Sequence, residues 1–112
     1  MVMAVSREFL TIKQCSASLE TALQSDRNIV YYLNRKGFIT DEMFQDLVNP
    51  RSMLSASQKA GQLVVRIRNR VKLSPKDYHK LVAHLRQSGK QYSSIMEILD
   101  REYSRLGETG ES

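Results

Sequence analysis

The chain has 112 residues, 41% of them hydrophobic and 26% charged, with a formal net charge of +5. That length supports one hydrophobic core and is too short for two, and the balance excludes wholesale disorder. No apolar run approaches the ~20 residues that cross a bilayer, so a membrane partner is not expected.

The first predicted helix covers about Ser6 to Gln24 and places Phe9, Ile12, Leu19 and Leu23 on one face. Ser16, Ala17 and Ser18 interrupt it with weak helix formers, which predicts a bend or break. The second runs from about Asp26 to Lys36, with Ile29, Val30 and Leu33 inward and Gly37 as its stop. At about 100° per residue, Tyr31 points away from that face and is expected to be exposed. Thr40 caps the third helix, and Ile39 and Phe44 have the spacing of a hydrophobic staple. That helix buries Met43, Phe44 and Leu47 and ends by Asn49-Pro50.

The fourth segment carries two periodicities. Val65, Ile67, Val71 and Leu73 alternate with Arg66, Arg68, Arg70 and Lys72 as in a strand. Ala60, Leu63, Val64, Ile67 and Val71 equally define a helical face, and Ser55-Ala56-Ser57-Gln58 offers a capping box. A lone strand has no partner for its backbone, so the segment is assigned as helix. Ser74-Pro75 then opens the fifth helix with a cap and an N1 proline, Leu73 stapling to Tyr78. Its core face is Tyr78, Leu81, Val82 and Leu85, with Gly89 as its end. The sixth, about Gln91 to Leu106, buries Tyr92, Ile95, Met96, Leu99 and Tyr103, and Gly107 closes it. The expected domain spans residues 5–106, and residues 107–112 read as a disordered tail or the start of a linker. Six amphipathic helices with short connections give an all-α antiparallel bundle.

Catalytic motifs do not emerge. His79 and His84 are five apart, off the spacing of a helical metal pair, and both are read as projecting away from the apolar face. Cys15 reads as a small core filler. There is no Gly-rich phosphate loop, HExxH or CxxC, so neither enzyme activity nor a cofactor is expected. Nor can a single cysteine form an internal disulfide, and the opening Met1-Val2-Met3-Ala4-Val5 lacks the pattern of a signal peptide. The expected location is cytoplasmic.

Charge is distributed unevenly. Lys59 to Lys72 holds five cations (Lys59, Arg66, Arg68, Arg70, Lys72) and no acid. Lys59, Arg66 and Arg70 fall within roughly 40° of one another on a helical wheel, with Arg68 and Lys72 on the opposite flank. The third helix has the reverse sign at Asp41, Glu42 and Asp46. Solvated faces without a partner account for such a pattern as well as an interface does. Read as an interface, one basic and one acidic patch allow head-to-tail self-association, which gives a filament when it does not close.

Leu19 to Leu106 resembles a caspase recruitment domain (CARD), of the death-fold superfamily. The stretch Tyr32-Leu33-Asn34-Arg35-Lys36-Gly37-Phe38-Ile39-Thr40 carries the resemblance, with Met43-Phe44-Gln45-Asp46-Leu47 and Gln58-Lys59-Ala60-Gly61-Gln62-Leu63-Val64. The run from Tyr78 to Gly89 looks like the fifth helix of such domains. The resemblance implies a six-helix Greek-key bundle with a broken first helix. It also implies a homotypic interaction module of apoptotic or innate immune signalling, whose partner is another CARD-like domain, in itself or in an adaptor, caspase or receptor. In similar domains a basic surface on helices one and four meets an acidic surface on helices two and three. Lys59, Arg66 and Arg70 match the basic side, and Asp41, Glu42 and Asp46 the acidic side. Two features depart from that pattern: helix one offers only Arg7 and Lys13, and helix two is basic at Arg35 and Lys36. With Tyr31, these last two are further interface candidates. The alternatives are a helical nucleic-acid-binding domain presenting Arg66, Arg68 and Arg70 to phosphates, and a monomeric spacer. Those arginines split over two flanks of a helix whose apolar face the core requires, which disfavours a nucleic-acid partner.

Overall fold

The structure, a computed structural model, describes residues 5–24 and 28–110. Helix α1 (Arg7–Gln14) starts at Ser6, whose hydroxyl accepts from the Phe9 N–H at 3.0 Å. It breaks at Cys15, one residue before the Ser-Ala-Ser stretch. There φ is −98° and ψ 12°, and α2 (Ser16–Leu23) begins directly after it. The Ser16 hydroxyl donates to the Ile12 carbonyl at 2.8 Å, back across the break. Cys15 is buried at this corner. The broken first helix explains why seven α-helices occur among the described residues where six were expected; no strand occurs among them.

Helix α3 (Ile29–Arg35) buries Ile29, Tyr32 and Leu33 and leaves Val30 half-buried. Its expected start at Asp26 lies outside the described residues. It ends in a Schellman turn: Gly37 takes φ +81°, the Phe38 N–H reaches the Leu33 carbonyl at 2.8 Å, and the Gly37 N–H reaches Asn34 at 3.1 Å. Thr40 then caps α4 (Asp41–Val48), its hydroxyl accepting from the Met43 N–H at 3.1 Å. Leu47 is buried, and Met43 and Phe44 are half-buried against the core.

The ambiguous segment is helical throughout α5 (Ala56–Leu73). The Ser55–Gln58 capping box forms in both directions, at 3.1 and 2.8 Å. Ala60, Leu63, Val64, Ile67 and Val71 are the buried stripe. The period-two alternation had no structural counterpart.

Helix α6 (Lys76–Gln87) corrects two expectations. Pro75, not Ser74, is its N-cap, and no side chain caps it. Ser74 instead closes α5, its N–H bonded to the Arg70 carbonyl at 2.8 Å, and so two residues serve both helix ends. Nor does Leu73 staple to Tyr78: Leu73 is 84% exposed while Tyr78 is buried, because the corner turns Leu73 outward. A 3-10 turn (Lys90–Tyr92) follows, with Gly89 at φ +96°, and leads into α7 (Ser93–Gly110).

Gly107 does not close α7; the helix continues to Gly110, into the stretch read as a tail. The glycine makes room for another chain segment. A Cβ there would collide with the Arg7 guanidinium, which lies 3.7 Å from the Tyr103 ring centroid and donates to the Tyr103 carbonyl at 2.6 Å. In packing, α1 lies between α7 and α5, α2 lies on α5, and α6 bridges α5 and α7, while α4 packs chiefly on α3. No helix among the described residues is long and apolar enough to cross a membrane.

Candidate protein interface

The acidic surface forms as the spacing on α4 dictates. Asp41, Glu42 and Asp46 are all exposed, at the N-terminus of α4 and one turn along it. The two carboxylates of the first turn also complement the helix dipole. Asp41 is held in place, accepting from the Asn34 side-chain amide at 2.9 Å. Glu42 and Asp46 have no ion-pair partner among the described residues.

The basic surface is narrower than the sequence suggests. Arg66 is exposed and without an ion pair among the described residues. Arg70 is committed inside the molecule: its Nε donates to Asp77 Oδ2 at 2.7 Å. Asp77 is buried, its side chain 6% exposed, and Lys80 Nζ approaches its other oxygen at 3.6 Å. A buried carboxylate needs such pairing, so Arg70 serves the α5–α6 corner before it serves any partner. Lys59 is half-buried and lines a groove. Lys36 and Arg35 are exposed, and Arg35 borders a shallow polar cleft of about 400 Å³ with His84 and Ser88.

The groove was not foreseen. It has a volume of about 560 Å³ between the end of α2, α3, the end of α4 and the start of α5. Its lining is mixed: Leu23, Val30, Leu47, Val48 and Leu63 share it with Gln24, Asn49 and Lys59. Tyr31 stands at its edge, 54% exposed, with its ring edge-on to Phe44 at 5.1 Å. The groove exists because α4 rests chiefly on α3 and does not close down over α5, a tertiary feature with no local sequence signal.

The titratable residues considered for chemistry have structural partners. His79 Nε2 is 3.0 Å from Glu8 Oε2, which also accepts from the Tyr103 hydroxyl at 3.1 Å. Burial works to raise the Glu8 pKa, but hydrogen bonds from backbone, His79 and Tyr103 outweigh it and hold the carboxyl below its ordinary value. His84 does not project freely: it stacks on Tyr32 at 3.6 Å with 10° between the planes, because α3 passes alongside α6. Burial, with the nearby charge of Glu102, pushes the Cys15 thiol up and disfavours the thiolate. No group of three or more potential metal ligands occurs among the described residues. Comparison with family models, with curated proteins and with solved structures finds no match to this chain.

Proposed function

We propose that this chain is a non-enzymatic interaction module of the CARD type, a Greek-key death fold that assembles homotypically in apoptotic or innate immune signalling in the cytoplasm. The observation that carries the reading is the opposition of charge on two helices. Exposed Glu42 and Asp46 on α4, and exposed Arg66 on α5, have no ion-pair partners among the described residues. Complementary patches steer association and fix its register, and two different patches on one chain pair head-to-tail. The first helix broken at Cys15 and the Schellman turn at Gly37 support the same reading.

Arg70 is set aside as a contact residue because of its bond to Asp77. The working patches are therefore Arg66 on α5, because Lys59 is half-buried in the groove wall, and Glu42 with Asp46 on α4. Light scattering across concentration and salt tests the proposal. The wild-type chain assembles with rising concentration and dissociates as salt rises. Arg66→Glu alone, and Glu42→Lys with Asp46→Lys, each abolish assembly. A chain that stays monomeric at every concentration, or reversed variants that assemble like wild type, defeats the reading.

A further inference from the structure

Among the described residues the most exposed large apolar side chain on a helix is Leu73, at 84%. It ends α5 at the corner where the staple to Tyr78 fails to form. The groove lies at the opposite end of the same helix, around Ala60 and Leu63. Lys59, Arg66 and Leu73 recur every seven residues, so they follow one line along α5, with Leu73 about 10 Å beyond Arg66. A contact that engages Arg66 therefore presents Leu73 to the same partner.

We infer that Leu73 of one copy inserts into the groove of a second copy, between its α3, α4 and α5. This rests on the homotypic reading above and deepens it by fixing the direction of pairing. Charge favours a second copy as the occupant. Leu73 is flanked by exposed Lys72 and Lys76, and the α4 wall of the groove, at Leu47 and Val48, continues directly from exposed Asp46. Knob and groove sit at opposite ends of an 18-residue helix. Lys59 also lines the groove, on its α5 wall.

Two measurements test this. In light scattering, Leu73→Asp raises the concentration needed for assembly at least about tenfold, the scale of a buried anchor, while its unfolding curve matches wild type because the side chain is exposed. In oxidative crosslinking, a Leu73→Cys copy and a Val48→Cys copy carrying different tags are mixed. The disulfide forms between the two; Cys15 is buried and does not compete. Leu73→Asp assembling like wild type, or crosslinks only between two Leu73→Cys copies, overturns the inference and leaves the homotypic reading standing. A wild-type chain that never assembles overturns both.

Discussion

The two sides of the molecule are held together differently. Where α1, α6 and α7 meet, side chains interlock: Arg7 lies over Tyr103, Glu8 joins His79 to Tyr103, and Tyr78 stacks on Tyr103 at 5.3 Å. Where α3 meets α4, Met43 and Phe44 are only half-buried, Val30, Leu47 and Val48 line an open groove, and the neighbouring acids face solvent. Segments with few buried contacts open most readily, and binding surfaces are drawn from them. The tight side fixes the fold, and the loose side leaves a groove and exposed carboxylates at the surface.

The largest effects should separate these two sides. Leu85→Ala, at a fully buried position on α6, should cost about 2–5 kcal/mol in denaturant unfolding. Phe44→Ala on α4, half-buried, should cost on the order of 1–2 kcal/mol. Equal costs would mean that α4 is as firmly seated as α6.

Next in size is the α5–α6 corner. Arg70→Ala strands the buried Asp77 carboxylate with only the more distant Lys80, and should cost about 2 kcal/mol. Partial exposure of Arg70 keeps this below the cost of breaking a fully buried pair. A change within about 0.5 kcal/mol would return Arg70 to the free surface.

Glu8→Gln should cost about 1 kcal/mol at neutral pH. The Glu8 carboxyl is held below its ordinary value in the fold, so its contribution is present above the unfolded-state pKa. It is lost as pH falls through the lower folded-state value. The wild type should therefore lose stability more steeply than the variant below about pH 4. Parallel curves would remove Glu8 from the tight side's support.

Much of this architecture was legible from local pattern. The Ser55–Gln58 box and the stripe from Ala60 to Val71 identified α5 because a cap and a 3.6-residue period are both written within a few residues. Gly37 was legible for the same reason. What escaped depended on distant partners. Gly107 read as a stop because nothing near it in sequence announces Arg7, which occupies the space a Cβ would take. His84 read as outward because Tyr32 arrives from another helix. The acidic half of the candidate interface was legible, since Asp41, Glu42 and Asp46 lie off the face that carries Met43, Phe44 and Leu47. The basic half was only partly so: the wheel put Arg70 beside Arg66, but the turn at Ser74-Pro75 brings Asp77 back to Arg70. The groove and Leu73 depend on how helices meet, which periodicity does not encode.

Complementation by mixing tests the central claim most directly. Arg66→Glu retains the acidic patch, and Glu42→Lys with Asp46→Lys retains the basic one; neither should assemble alone, and both should unfold within about 0.5 kcal/mol of wild type. Light scattering of the equimolar mixture should then give a complex of one copy of each and nothing longer, because only one wild-type pair of patches is available. No complex in the mixture, or wild-type assembly by either variant alone, would contradict a head-to-tail contact between α5 and α4.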